Sequence, residues 1–199
     1  MNKELKEVRL ADVKIEEIDN KMILEGYAIC FDSETLIGNE DHGFYEVIDR
    51  NALADTLLRD VPMKYNHMDS FLIIARTKNQ SLQLSIDNIG LKVHAELIDT
   101  QSNQDIYKMV RSGLLDKMSF AFTVKEQTWN REGNVPKRII TKIDRLYDVS
   151  VVDTPAYDAT SIHARSVEAM ELELQTMDLV KSNEKIKVMK QRLKIKSKI

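Results

Sequence analysis

The chain has 199 residues, 43% of them hydrophobic, and its net charge of −3 does not predict binding to nucleic acid or to membranes. Its single cysteine, Cys30, excludes an internal disulfide and a Cys-x-x-Cys metal or redox pair. The first seven residues lack the apolar core of a signal peptide, and no apolar run approaches the roughly 20 residues that span a bilayer, so we expect a soluble intracellular protein.

The first part of the chain predicts strands separated by polar loops. The predicted strands are 8–18, 21–31, 44–49, 63–67 and 72–77. Gly26 lies inside the second of them and indicates close backbone packing or a bulge. Residues 32–43 are polar and predict an exposed loop. Asp49 can cap a helix that runs through Leu53 and Leu58 and stops before Pro62.

The following part predicts a hairpin, a helix and a group of longer strands. Strands 81–87 and 91–99 are joined by a loop that ends at Gly90, as in a three-residue hairpin connection. Residues 102–105 resemble a capping box that opens a helix, and Gly113 ends this helix. A long strand then runs through Ser119 to about Trp129. A polar turn follows, and the chain returns along 138–146 and 147–153.

These elements predict an α+β domain over residues 1–164, rich in strands and with two or three helices. A tail over 165–199 follows. Apolar residues recur in it at helical spacing: Val167, Met170, Leu174 and Met177. Basic residues dominate after Val180. A solvated helix with a basic end and a helix docked on the domain both fit this pattern, and no aromatic residue is interleaved for stacking on nucleic-acid bases.

Ser119 is the one hydroxyl in an otherwise apolar run. Strand alternation directs Met118, Phe120 and Phe122 into a core. It directs Ser119 and Ala121 onto the opposite face, where small side chains leave room for another group to approach. From the residues alone, Ser119 is either a filler residue or a nucleophile.

A nucleophilic serine needs a base and a third group that orients the base. The chain has four histidines: His42, His67, His94 and His163. His67 ends an apolar segment and begins a turn, where a base carried by a strand would face a cleft. A metal site built from Asp41, His42, His67 and Asp69 ranks lower, because the spacing is not that of a helical site and no cysteine takes part.

Asp148 is the acid of most interest, because it interrupts an apolar strand. Alternation places it on the same side as Leu146 and Ser150. A buried carboxylate without a partner is costly, so Asp148 needs one. An ion pair with Arg138 or Arg145 explains Asp148 as well as a role in orienting an imidazole does.

Several short motifs, taken in order, resemble the tailed-phage prohead maturation protease family. They are Gly26-Tyr27-Ala28, Phe44-Tyr45-Glu46-Val47-Ile48 with Ala52-Leu53, Asn66-His67, Ala75-Arg76-Thr77, Gly90-Leu91, Lys117-Met118-Ser119-Phe120-Ala121-Phe122, Leu146-Tyr147-Asp148-Val149-Ser150-Val151-Val152 and Pro155-Ala156-Tyr157. Each motif is weak alone, but their common order is specific. The resemblance covers about residues 20 to 163.

The resemblance implies catalytic roles for His67, Ser119 and Asp148, with no cofactor and no metal. The herpesvirus capsid-maturation proteases, whose fold is similar, use a second histidine as third member, so His94 is the alternative to Asp148. The implied fold is a mainly antiparallel β-barrel-like core surrounded by helices. Backbone amides near Arg76-Thr77 are the candidate donors to the oxyanion.

The implied function is a serine endopeptidase that cleaves scaffold or major capsid precursors, and itself, inside the assembling procapsid. Its location is then the host cytoplasm, or the cytoplasm of a bacterium that carries a prophage. Self-association is a further implied contact, and neither membrane nor nucleic acid is an expected partner. The rival hypothesis is an inactive assembly module that keeps the protease fold and uses the tail as a handle.

The chain also departs from the family pattern. The family often has glycine at the positions of Ala75, Lys117 and Ala121, and it commonly has glutamate at the position of Asp148. Lys117 and Ala121 flank the serine closely, so they are the candidate positions for this chain's own specificity.

Overall fold

The computed structural model describes residues 7–18, 21–39, 41–69, 73–153 and, near the C-terminus, 175–176, 178–180, 182–187 and 189–190. The strands are β1 Glu7–Ile18, β2 Lys21–Cys30, β3 Thr35–Ile37, β4 Phe44–Ile48, β5 Pro62–Tyr65, β6 Ala75–Arg76, β7 Leu82–Ile86, β8 Gly90–Leu97, β9 Lys117–Asn130 and β10 Lys137–Val152. One α-helix, α1 Gln101–Arg111, and a 3-10 turn, Thr77–Asn79, complete the elements described between residues 7 and 153.

The strands form one mixed sheet. Its main path runs β3-β4-β10-β9-β1-β2-β8-β7, and β5 pairs with both β10 and β6. β10 runs parallel to β4 and β5, and the other pairs are antiparallel. The α+β class is therefore confirmed.

The prediction of a barrel-like core is wrong, because the sheet is open: its end strands β3 and β7 do not pair in the described part of the chain. The long strand β10 pairs with two different strands along one edge. Its start pairs with β4 and its end pairs with β5, so two separate strands share one edge of it. The expected surrounding helices are also wrong, because α1 is the single α-helix between residues 7 and 153 in the part of the chain that the structure describes.

The helix predicted after Asp49 is replaced by consecutive turns over residues 50–55. The internal backbone bonds of this segment span three residues, as in turns (Ala54 N donates to Asn51 O at 3.1 Å), and other backbone groups here and at Leu57 bond to β10. Ala52 O accepts from Ile143 N at 2.8 Å, and Leu57 N donates to Asp144 O at 3.0 Å. Burial of Ala52 and Leu53 pulls the segment onto the sheet, so tertiary hydrogen bonds outweigh the local helical preference.

Smaller differences concern element ends. The loop predicted over 32–43 contains the short strand β3, which buries Ile37. α1 is capped by Thr100 rather than Ser102, and the Thr100 side chain accepts from Asn103 N at 3.3 Å. The two strands predicted over 138–153 are one continuous strand, β10.

Gly26 confirms the expectation of close backbone packing. A Cβ atom added there would lie 2.4 Å from Asp12 O on β1. Gly90 opens β8 after the predicted hairpin loop, and a Cβ there would lie 1.7 Å from Ile29 O. Both contacts are with backbone, which cannot move aside as a side chain can, so β2 can approach its two neighbours only because these residues are glycines.

The core confirms the predicted apolar face of β9. Met118, Phe120 and Phe122 are all buried, and the rings of Phe120 and Phe122 stack with centroids 5.0 Å apart. They join apolar side chains from β2, β8, β10 and α1 in one cluster. The sheet that carries Ser119 is therefore packed from one side by a continuous apolar layer.

The described residues of the tail are helical and exposed. Asp178 contacts the domain through Arg131, which lies after β9, with Nη1 3.0 Å from each carboxylate oxygen. The predicted boundary at 164/165 and the apolar tail residues Val167, Met170, Leu174 and Met177 lie outside the described residues. No helix of the described part is both long and apolar enough to cross a membrane.

Candidate active site

Ser119 lies on β9 between two neighbouring strands. Leu10 is its register partner on β1, and Ser150 is its partner on β10. The predicted face of small side chains is approached by another group, the ring of His67, whose Nε2 lies 2.8 Å from Ser119 Oγ, and it is closed to solvent, since Ser119 is only 1% exposed and Ala121 is fully buried. The face is covered by other parts of the chain, of which the turn carrying His67 is one.

His67 lies in a tight turn after β5. Asn66 and His67 both have positive φ, 49° and 56°, and Met68 N donates to Tyr65 O at 3.0 Å. Two central residues with positive φ and this hydrogen bond are the features of a type I′ turn. Asparagine and histidine are among the non-glycine residues found most often at positive φ, but the conformation still costs about 1–3 kcal/mol, and such strain collects at functional sites.

The turn is held to the end of β10 by hydrogen bonds. Asn66 N donates to Val151 O at 3.0 Å, and Asp153 N donates to Asn66 Oδ1 at 3.1 Å. His67 N donates to Ser150 Oγ at 3.2 Å. The imidazole is thus fixed to the strand that also carries Asp148.

A bulge in β10 sets the direction of Asp148. Leu146 pairs with Phe122, and Asp148 pairs with Ala121, the adjacent residue of β9. Two steps along β10 thus correspond to one step along β9, so Tyr147 is an extra residue without a partner in the register. Directly paired residues share a face of a sheet. The bulge therefore leaves Leu146 on the core face and turns Asp148 to the Ser119 face. The alternation that grouped Leu146 with Asp148 is wrong for this reason.

The two ring nitrogens of His67 bridge Ser119 and Asp148. Nδ1 is hydrogen-bonded to Asp148 Oδ1, and Nε2 lies 2.8 Å from Ser119 Oγ. A neutral imidazole has one donor and one acceptor nitrogen. When Nδ1–H donates to the carboxylate, which is fully buried, Nε2 is left to accept from the serine hydroxyl.

Asp148 has a cationic neighbour other than the arginines considered from the sequence. Lys64 Nζ lies 3.7 Å from Asp148 Oδ2, and the Lys64 side chain is only 13% exposed. Arg138 instead pairs with Glu46 at 2.9 Å, and Arg145 lies over the ring of Tyr147. The carboxylate thus lies between an imidazole and an ammonium group, which offset the cost of its burial.

The sequence profile of the caudovirus prohead serine proteases matches residues 9–173. The chain belongs to this family. The bacteriophage T4 capsid assembly protease, gp21, has a similar structure, with 11% sequence identity, coverage of 74% of this chain and 98% of that chain, and a TM-score of 0.48. No curated protein sequence matches the chain significantly.

Two residues of this prohead protease family member, Ser150 and Lys64, lie in the site but were not predicted from the sequence. Ser150 Oγ lies 3.1 Å from Asp148 Oδ1 and is fully buried. The sequence did contain a signal for Ser150: it lies two residues after Asp148 on the same strand, and residues two apart on a strand lie on the same face. Lys64 had no such signal, since β5 reaches the site only through its parallel pairing with β10.

His94 and His42 have no contact in the described structure with Ser119, His67 or Asp148. His94 Nδ1 is hydrogen-bonded to Glu25 Oε1 across β2 and β8. His42 is exposed, and His163 lies outside the described residues. Asp69 pairs with Lys64 at 2.5 Å, and within the described ranges no group of three His, Cys, Asp or Glu side chains could hold a metal ion.

The amides suggested as oxyanion donors are already hydrogen-bonded. Arg76 N donates to Ser81 Oγ at 2.9 Å, and Thr77 N donates to Val61 O at 3.0 Å. The Arg76 guanidinium binds Asp60. These groups are occupied within the fold, so Arg76-Thr77 is a poor candidate for the oxyanion hole.

The Glu25–His94 pair predicts a pH-dependent contribution to stability. The hydrogen bond from His94, and then Lys92, hold the pKa of Glu25 below its usual 4.5. A lowered carboxyl pKa stabilises the folded state above the unfolded pKa, and this contribution is lost as the pH falls through the folded value. Glu25→Gln should therefore unfold at lower urea concentration than the wild type at pH 7, and the difference should shrink below about pH 4.5. A constant difference down to pH 2 would contradict this.

Proposed function

We propose that this chain is a serine endopeptidase with Ser119 as nucleophile, His67 as general base and Asp148 as the group that orients His67. One observation carries the proposal: a single imidazole contacts both the Ser119 hydroxyl and the Asp148 carboxylate through its two nitrogens. Nucleophile, base and orienting group within hydrogen-bond reach are the arrangement that acyl transfer requires.

The reaction follows from these contacts. Ser119 Oγ attacks the scissile carbonyl carbon while His67 Nε2 takes the hydroxyl proton. The imidazolium then gives this proton to the leaving amine as the C–N bond breaks, which leaves an acyl ester on Ser119. Water, deprotonated by the same nitrogen, attacks the ester, and the imidazolium returns the proton to Ser119 Oγ as the carboxylic acid product leaves. Asp148 stays ionised and stabilises the imidazolium, because its carboxylate faces Nδ1 throughout.

Asp148 is the better candidate for the third group than His94. Asp148 shares a hydrogen bond with the His67 ring, whereas the ring of His94 is hydrogen-bonded to Glu25 on another part of the sheet. The shorter aspartate, where the family commonly has glutamate, reaches His67 because the bulge at Tyr147 turns it toward that ring.

Family membership supports the choice of substrate. We infer that the enzyme cuts scaffold segments or major capsid precursors, and itself, inside the procapsid in the host cytoplasm. We further propose that residues 1–164 form the protease domain, and that 165–199 form a tail that directs the enzyme to the assembling shell. Self-association of protease chains belongs to the same proposal.

One observation favours a second candidate, an inactive assembly module that keeps the protease fold. Ser119 is 1% exposed, and a substrate carbonyl has to reach its hydroxyl. In the active enzyme, the cover over Ser119 has to move when substrate binds, as loops of other enzymes do. In the inactive module it stays closed.

Co-expression with the cognate capsid precursor distinguishes the two candidates. The wild-type chain should convert the precursor to shorter products, and intact-mass spectrometry should give the residues at the new termini. The matched Ser119→Ala chain, expressed at the same level, should leave the precursor at full length. An uncut precursor in the presence of folded wild-type chain would favour the assembly module, and equal cutting by both chains would refute the role of Ser119.

A further inference from the structure

Ser150 is a buried hydroxyl at the centre of the site to which the reaction assigns no step. Its Oγ lies 3.2 Å from His67 N, 3.1 Å from Asp148 Oδ1 and 3.2 Å from His67 Nδ1. The residue has no exposed surface. One side chain thus contacts the backbone of the proposed base, its ring and the carboxylate that orients it.

We propose that Ser150 is a positioning residue that holds the His67 turn and the Asp148 carboxylate in their relative places for catalysis. The inference rests on the proposed function, because it concerns the same site. It adds a fourth side chain, one that acts through His67 and Asp148 and touches no substrate.

The number of hydrogen bonds that a serine hydroxyl can donate and accept determines the role of Ser150 Oγ. A serine hydroxyl has one hydrogen and two lone pairs. His67 N–H donates to Oγ, which uses one lone pair. A carboxylate can only accept, so the single hydroxyl hydrogen is directed to Asp148 Oδ1. The rotation of the Ser150 side chain is thereby fixed from both sides.

The backbone contact matters because the turn is strained. Asn66 and His67 both have positive φ, and a non-glycine residue keeps this conformation only when its surroundings enforce it. The amide of His67 points to a side chain rather than to a neighbouring strand. Ser150 thus supplies a hydrogen bond that keeps His67 in the conformation from which its ring reaches Ser119.

The carboxylate contact sets the rotation of Asp148. Oδ1 is contacted by His67 Nδ1 and Ser150 Oγ, while Oδ2 faces Lys64 Nζ at 3.7 Å. Loss of the Ser150 hydroxyl removes a donor at Oδ1. The attraction of the ammonium then competes more strongly for the carboxylate, and His67 loses part of the restraint on its tautomer and orientation.

Ser150→Ala tests this, with Thr123→Val as matched control. Thr123 is a buried β9 hydroxyl whose Oγ1 has no hydrogen-bond partner in the described structure, so its removal leaves His67 and Asp148 untouched. With a peptide that spans the cleavage site mapped in the precursor, Ser150→Ala should lower kcat about 10–100-fold with little change in KM. The control should keep the wild-type kcat.

A proton NMR signal separates positioning from general stability. The His67 Nδ1 proton, identified by its loss in His67→Gln, should shift or broaden in Ser150→Ala and stay in place in Thr123→Val. If Ser150→Ala does not fold, Ser150→Cys keeps the shape with a weaker donor and should give an intermediate kcat. Wild-type kcat and an unmoved Nδ1 signal in the folded variant would overturn the proposal. Failure of the wild-type enzyme to cut would instead refute the proposed function.

Discussion

Replacing Ser119 or His67 by alanine should lower kcat/KM by about 10⁶-fold in each case, and the double variant should be no slower than either single variant. The reason is that the two groups act as one unit. His67 Nε2 lies 2.8 Å from Ser119 Oγ, so neither a serine without its base nor a base without its serine can form the acyl intermediate.

The measurement is a double-mutant cycle on a peptide substrate, with folding verified by circular dichroism. His94→Ala is the matched histidine control, because that ring is hydrogen-bonded to Glu25 away from Ser119, and it should keep kcat/KM near the wild-type value. Additive losses in the double variant, or a loss in His94→Ala as large as in His67→Ala, would contradict the assignment of the base.

Asp148→Asn should lower kcat by about 10⁴-fold while the chain stays folded. Asparagine has nearly the same shape, but it can present an N–H to His67 Nδ1, which then becomes the acceptor of the ring. Nε2 consequently carries the hydrogen and cannot take the proton of Ser119. Lys64 also loses the opposing charge that lies 3.7 Å from it, so a decrease in thermal stability should accompany the loss of rate.

Asp148→Glu is the informative companion variant, because the family commonly carries glutamate at this position. It keeps the carboxylate and should therefore retain more activity than Asp148→Asn, although the longer side chain must fit a fully buried place. Kinetics and thermal melts of both variants provide the comparison. An Asp148→Asn enzyme within tenfold of the wild-type kcat would remove Asp148 from the proposed triad.

Ala121 and Lys117, the two departures from the family pattern beside Ser119, remain predicted specificity positions. The structure places these two residues in different surroundings. Ala121 is fully buried and pairs with Asp148 in the register, so its methyl group lies beside the Asp148 carboxylate. Lys117 is partly exposed and forms an ion pair with Asp12 at 2.7 Å. A direct contact with substrate is therefore easier for Lys117 than for Ala121.

Much of the fold was predictable because its signals are local. Alternation along β9 predicted the burial of Met118, Phe120 and Phe122, and Gly26 marked a close backbone approach. The turn residues before Gly90 predicted the hairpin of β7 and β8. Each of these signals arises within one strand or one turn, where side-chain period and backbone sterics act without reference to the rest of the chain.

The sequence by itself determined which residues could carry the chemistry: an isolated serine in an apolar strand, a histidine at the start of a turn and an acid that needed a partner. Only the tertiary structure decided how they meet. An extra residue at Tyr147 turns Asp148 to the Ser119 face, and two residues with positive φ turn His67 over it. Bulges and strained turns depend on which strands pair and in what register, and pairing between distant segments leaves no periodic pattern in the sequence. The same holds for the open sheet, since its closure depends on whether β3 and β7 meet.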